Sequence, residues 1–362
     1  MADSLASLRR QAVLAAFPPP VPLGQVFERL GFVQADPIRA PARAQDLILR
    51  HRATGYRAGD LERRFAGLGL EEAYLHAYGF MTPEVQALLL PRHDATGVEG
   101  RHVPGGLAAE VLEFVRTQGA THPAALAEQF GRERETNAWG GMSKATTRAL
   151  HVLQHHGLLR VARRDGGIRV YEAVTASDAV LSPAERMERL TLVVARLLAP
   201  VPARTLVRTM GPIIRSVLGP GARSGAMAAL LGREALLEEV VDGVRYVRPG
   251  ELEAAGRVRK MVRFLAPFDP LVWDRRRFEH FYGWAYRFEA YTPPAKRLLG
   301  YYAMPLLWKD AVIGWVNVAR RGERVDVQVG FVKGRPRESA FAAAFDEEVV
   351  RMEGFLSAER EA

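Results

Sequence analysis

The sequence has no cysteine. That excludes disulfides, thiolate metal ligation and cysteine nucleophiles. It has no apolar run near the roughly 18 residues needed to cross a bilayer. The first residues, MADSLASLRRQAVLAAFPPP, carry only a short apolar patch, an acidic Asp3 and no small-x-small cleavage pattern, so they do not read as a secretory signal. The GxxxxGK[ST] loop that cradles nucleotide phosphates is absent. So is the GxSxG elbow of serine hydrolases. Lysine is scarce, and arginine supplies nearly all of the 50 basic residues. These absences point to a cytoplasmic protein with no membrane partner.

What remains is a chain of 362 residues, enough for two to four domains, with a formal charge of +9. Arginine forks match phosphate oxygens and stay charged at any working pH. A basic excess of this size favours a polyanion.

Punctuation along the chain divides it. Residues 3 to 16 predict a helix stopped by Pro18, Pro19 and Pro20, and LGQVFERL predicts a second, ended by Gly31. FVQAD then reads as extended, because Pro37 pushes Asp36 out of the α region. A third helix is expected from about Ala40 through DLILRHR, with Ala44, Leu47 and Ile48 on its apolar face and Arg43, Gln45 and Arg50 elsewhere. From 105 to 176 the pattern is clearest. LAAEVLEFVRTQ, PAALAEQFG and SKATTRALHVLQHH predict three helices, the last capped by Ser143 and stopped by Gly157. LLRVAR and IRVYEAV follow around RDGG, which is hairpin chemistry. Three helices and a hairpin make the winged helix-turn-helix plan. On its third helix Lys144, Arg148, His151 and His155 fall on one stripe, opposite Ala149, Leu150 and Leu153, where a recognition helix would meet a groove. A less regular copy follows, with a hairpin signal at Asp242 and Gly243. Beyond 258, VIGWVNVA and RVDVQVGF alternate as half-buried strands, and residues 337 to 357 close as a helix. The expected fold is α+β: tandem winged helix-turn-helix units and a C-terminal antiparallel β-rich domain, divided at 1–104, 105–177, 178–256 and 257–362.

The chemistry-bearing residues are few. His151, His155 and His156 give two ring nitrogens one turn apart but no third ligand, so no metal is expected. His51 and His76 are possible bases, although a lone histidine is more often structural. Gln34 and Asp36 are two apart in an extended segment, so both side chains point the same way. An amide there can hold a water while the carboxylate takes its proton. Many strand ends carry such a pair without chemistry.

At these residues the chain resembles the winged-helix DNA glycosylases of the YcaQ type, which unhook interstrand crosslinks. VQADPIRAPARAQDLILRHRATGY follows the family's Gln-x-Asp element and its apolar-basic helix ending in Gly-x-Tyr. LAPFDPLVWDRRRFEHFYGWAYRFEAYTPPAKRLLGYYAMPLL, residues 265 to 307, is the most specific match, through FDPLVWDR, YTPPAKR and GYY. The likeness covers most of the chain. It departs at His76-Ala77-Tyr78, where the family has His-Glu-Ala, and at Trp139, the one tryptophan kept of a Trp-Trp-x-Trp-Lys stretch. The resemblance implies a monofunctional DNA glycosylase acting on 7-alkylguanine-type lesions, including crosslinks, as a nucleoid-associated monomer on double-stranded DNA and without a cofactor. By it Asp36 activates water and Gln34 positions it, with His76 as a further site residue. Arg43, Arg50, Lys144, Arg148, Arg163 and Arg164 are the expected phosphate contacts. The alternative is a winged-helix regulator or architectural protein that binds DNA without cutting it.

Overall fold

The computed structural model describes residues 2–93, 96–97, 100–101, 105–131, 133–136, 142–174, 181–252, 256–322 and 324–357. Among them are 14 α-helices and several antiparallel sheets, the largest a four-stranded sheet near the C-terminus. No helix among them is long and apolar enough to cross a membrane. Trp139 lies outside the described residues. The chain forms two compact units. One is built from residues 1–61, 191–208 and 227–362, the other from 62–190 and 209–226.

In the first unit, helix Ala2–Ala16 ends before the prolines, and helix Leu23–Leu30 buries Leu23, Val26 and Phe27 at helical spacing. Gly31 closes that helix in the left-handed region (φ 71°), its N–H donating to Phe27 O. Phe32–Gln34 is a short strand, as the extended reading of FVQAD expects. The third helix is shorter than expected, Ala44–Leu49, and it is not amphipathic. All six residues are buried, Gln45 and Asp46 included, because polar partners take both side chains. Leu8, Ala12 and Val13 of the first helix pack into one core with Tyr246, Leu271, Phe278 and Phe281. Truncating a ring such as Phe278 there would cost about 3–5 kcal/mol.

The C-terminal sheet runs Val262–Phe264, Met304–Trp308, Ala311–Arg321, Arg324–Phe331, every pair antiparallel. Its long third strand alternates as its sequence dictates, burying Val312, Val316 and Val318. Helix Ser339–Leu356 covers the sheet, setting Phe341 against Trp308 and Phe345 against Phe264 at 5.6 Å each. Strands Leu236–Val241 and Val244–Pro249 form the hairpin expected at Asp242 and Gly243, with both turn residues at positive φ, as a two-residue turn requires.

In the second unit, helices Leu107–Gln118, Pro123–Phe130 and Ala145–His155 are followed by the hairpin Leu159–Asp165 and Ile168–Ala173. Gly166 and Gly167 turn it, both at positive φ. Thr121 exchanges two backbone hydrogen bonds with Tyr171, adding a bridge at the hairpin's edge. The third helix starts later than its serine suggests. Ser143 pairs with Glu135 in a strand, so Lys144 occupies the cap position, without a side-chain cap bond. A further hairpin, Glu71–Tyr74 with Tyr78–Met81, carries His76 at its bend.

Candidate active site

Gln34 ends its strand, and Asp36 follows in the extended segment that Pro37 enforces. Asp36 is half-buried. Its Oδ1 accepts the Ile38 N–H at 2.9 Å, a local turn that fixes the carboxylate plane. Its own N–H donates to Gln45 Oε1 at 3.3 Å, tying the segment to the buried helix. Burial raises the Asp36 carboxyl above its ordinary range, and the Ile38 hydrogen bond opposes that in part. Gln34 Oε1 is buried with no hydrogen-bond partner among the described residues. An acceptor so placed costs about 1–3 kcal/mol to leave unpaired, a cost that functional positions tolerate.

The basic run after Asp36 is the clamp that holds it. Asp46 takes the Tyr56 hydroxyl at 2.6 Å and the Gly59 N–H at 3.1 Å. Arg50, its side chain 4% exposed, pairs with fully buried Glu348 at 2.8 Å. His51 donates from Nε2 to Phe264 O at 3.0 Å, and burial holds its imidazole neutral, well below the usual range. Arg52 forks onto Asp269 at 2.7 and 3.0 Å. So His51 is a structural histidine, and Arg50 is occupied in the interior rather than facing a phosphate.

The FDPLVWDR stretch is the other half of the clamp. Asp269 caps helix Pro270–Trp273 through the Leu271 N–H while holding Arg52. Asp274 caps the next helix, Arg275–Tyr282, and accepts the Thr205 hydroxyl at 2.5 Å. Arg277 is buried and donates to the carbonyls of Leu198, Pro200 and Pro270. The charged residues of FDPLVWDR and Arg277 are thus fasteners of the first unit, and Asp269 ties Arg52, sixteen residues after Asp36, to them.

Beside the Asp36 segment lies a shallow pocket of about 170 Å³, lined by Ala40, Tyr301, Tyr302, Asn317, Asp326 and Gln328 among others. Burial and the Asp36 charge together raise the hydroxyls of Tyr302 and Tyr291 above the usual tyrosine range. Tyr302 is 3% exposed, and its hydroxyl has no hydrogen-bond partner among the described residues. Sequence reasoning missed these tyrosines. YTPPAKR and GYY mark where they stand, but nothing in their spacing tells that the loop comes back to Asp36.

The remaining expected residues belong to the second unit, except Arg43, which is half-buried at the N-cap of helix Ala44–Leu49. Of the expected stripe, Lys144, Arg148 and His151 are exposed, opposite buried Ala149, Leu150 and Leu153, while His155 is half-buried. Arg163 is exposed and forks onto Asp165 at 3.0 and 3.1 Å. Arg164 is mostly buried and pairs with Glu72, which also takes Arg169 and the Tyr78 hydroxyl. Like Arg50, Arg164 serves its own unit's interior. The His76 imidazole is pushed down to about 4 by burial, so it is neutral at pH 7.

No solved structure matches the chain. A comparison with protein families matches residues 27–355, a span that includes Gln34, Asp36, the clamp and the tyrosine loop, to the DNA glycosylase AlkZ-like family, and the chain belongs to that family.

Proposed function

We propose that the protein hydrolyses the N-glycosidic bond of 7-alkylguanine-type lesions in double-stranded DNA, crosslinked ones included, with Asp36 as the base that activates water. Membership of a DNA glycosylase family supports a glycosylase, and hence DNA as substrate. The lesion and the residue roles are our reading. The observation that carries them is the Asp36–Gln34 pair: a half-buried carboxylate with one oxygen fixed by Ile38, and an unpaired buried amide oxygen two residues away.

One carboxylate is enough for this substrate. Glycoside hydrolysis ordinarily uses two, one to protonate the leaving group and one to activate water. A 7-alkylated guanine is already cationic. The bond from the sugar's anomeric carbon to the base breaks with its electron pair moving to the base, which departs neutral. Water adds to the anomeric carbon, and its proton passes to Asp36. Among the described residues nothing is bonded to Asp36 Oδ2, which suits that oxygen to receive the proton. Gln34 Oε1 accepts the water's other hydrogen and aims its lone pair. His76 is kept as a further site residue, where a neutral imidazole can accept but not donate a proton.

DNA is held, on this reading, by tandem winged-helix units within residues 1–104, 105–177 and 178–256, ahead of a β-rich 257–362. The exposed Lys144–Arg148–His151 stripe faces the duplex, and Arg43 and Arg163 give further phosphate contacts. The pocket near Asp36 is well under the 300–1,000 Å³ of an enclosing ligand site, which suits a base attacked at the duplex surface over one swallowed whole. The test is a duplex with a single 7-methylguanine, incubated with protein and then heated in alkali. Strand scission by the wild type and its loss in Asp36→Asn support the reading. Equal scission by both refutes it. If neither cuts, the alternative of a DNA binder without hydrolysis stands, its groove contact carried by the same exposed stripe.

A further inference from the structure

The loop from Tyr291 to Tyr302 is built with unusual care for a surface segment. Glu289 is buried, and its Oε2 accepts three backbone N–H groups in a row, from Leu298, Leu299 and Gly300, at 2.9, 2.8 and 3.3 Å. Asn317, on the sheet below, donates to Leu299 O at 2.7 Å. Gly300 sits at φ 122°, and a Cβ there would collide with the Asn317 amide. Arg297 donates to Thr292 O at 2.8 Å. A loop fastened at this many points yet carrying apolar residues outward is a presented surface, not a slack one. Tyr291 is 78% exposed, Leu298 86% and Tyr301 44%.

The three tyrosines of this loop are not equivalent. Tyr302 is buried. The Tyr301 ring already has a cation over it, the Arg297 guanidinium at 5.0 Å from its centroid. Among the described residues no cation covers Tyr291. Its ring is braced edge-on by Phe288 at 6.1 Å and 80°, and Phe288 is braced in turn against Tyr302 at 5.2 Å and 89°. The same Tyr302 and Tyr301 line the pocket whose other wall includes Ala40, four residues beyond Asp36. So the exposed Tyr291 ring is braced, through Phe288, against Tyr302 in the pocket wall, close enough to Asp36 that the carboxylate's charge acts on its hydroxyl.

We infer that Tyr291 is a specificity-determining residue whose ring face receives the positively charged purine, so that the site selects its lesion by charge before any bond breaks. The inference rests on the glycosylase reading above. An aromatic face attracts a cation through its quadrupole, most strongly where water is excluded. An undamaged base, being neutral, gains only ordinary stacking. The positive charge that makes the alkylated base a good leaving group is therefore also the feature that Tyr291 detects. Leu298 gives the neighbouring apolar contact, and Lys296 with Arg297 supplies the positive charge that a phosphate backbone meets on either side.

The experiment separates charge from shape. One duplex carries 7-methylguanine, a cation. A second carries 7-methyl-7-deazaguanine, which has the same outline, no charge and no labile bond. Affinities are measured by fluorescence anisotropy in an Asp36→Asn background, where the carboxylate contributes nothing to cation preference and no base is released. We expect the cationic duplex to bind about three- to tenfold tighter. Adding Tyr291→Phe, which keeps the ring face, preserves that ratio. Adding Tyr291→Leu brings it within twofold of unity, while the folded protein's melting temperature stays at the wild-type value, as befits a residue 78% exposed. Equal affinities for the two duplexes before Tyr291 is changed overturn the inference, as does a ratio that survives Tyr291→Leu. The hydrolytic reading is judged apart from this, by whether the wild type releases 7-methylguanine at all.

Discussion

Replacing Arg50 by methionine tests whether the basic run after Asp36 is scaffold or DNA contact. Methionine keeps most of the buried stem but removes the guanidinium. Two interactions go with it: the charge-assisted hydrogen bond to Glu348 at 2.8 Å, worth about 1.5–3 kcal/mol, and the buried contact of the guanidinium with the Phe355 ring at 5.2 Å, worth about 2 kcal/mol, of which a methionine sulfur against the same ring restores about 0.3–1.5. Glu348 would not be left bare, since Arg351 at 2.9 Å and the Phe264 N–H at 3.0 Å remain. That keeps the loss below the roughly 3–5 kcal/mol of a buried ion stripped of its only partner. We expect about 2–4 kcal/mol less stability in urea unfolding, with no change in the slope of log affinity for undamaged duplex against log salt. Lys144→Ala on the exposed stripe should give the reverse: stability unchanged and a slope shallower by about 0.9, one phosphate contact's worth of counterion. An Arg50→Met protein of wild-type stability whose salt slope drops by that amount would show that the side chain meets phosphate and that the clamp argument is wrong.

Three further outcomes are expected. Because burial raises the Asp36 carboxyl and the working form is the carboxylate, kcat/KM should fall on acidification along a limb centred above the ordinary aspartate value of about 3.9; a limb at or below that value contradicts the assignment. His76 has a folded value near 4 against about 6.5 unfolded, so the unfolded chain holds the extra proton between those values. Its stabilising contribution is complete above pH 6.5 and is lost as pH falls toward 4, and thermal melts of His76→Phe across that window should show a correspondingly weaker dependence on pH. Gly300→Ala forces an L side chain to φ 122° and against the Asn317 amide, which should cost about 1–3 kcal/mol and expose the loop to trypsin after Lys296 or Arg297 under native conditions; native resistance to trypsin equal to the wild type's would argue against it.

Much of the fold is legible where local chemistry decides it. The hairpins at Gly166–Gly167 and Asp242–Gly243, the Gly31 stop and the alternation over 311–321 follow from turn residues and periodicity alone. The stripe of Lys144, Arg148 and His151 is legible for the same reason. The helix after Asp36 is legible, but its early end at Leu49 and its full burial are not, because the polar groups in and just after it find partners elsewhere: Asp46 on Tyr56, Arg50 on Glu348, Arg52 on Asp269. A buried Arg50 and an exposed Lys144 look alike in a string of letters, since both are simply cations on a helical segment. Asp36 could be singled out from Gln-x-Asp, whereas the Tyr291 and Tyr302 surroundings depend on a return of the chain some 250 residues later.

The first unit is assembled from three separated stretches, 1–61, 191–208 and 227–362. The first helix packs into a core with Leu271 and Phe278, and the segment after Asp36 is fastened to Phe264, Asp269 and Glu348. During synthesis these early residues must therefore wait for their partners until the chain has reached Glu348. A chain stopped short of those partners would hold Asp36 on a loose tether. On the proposed reading of Asp36, hydrolytic competence would arise late, once those distant partners have been made.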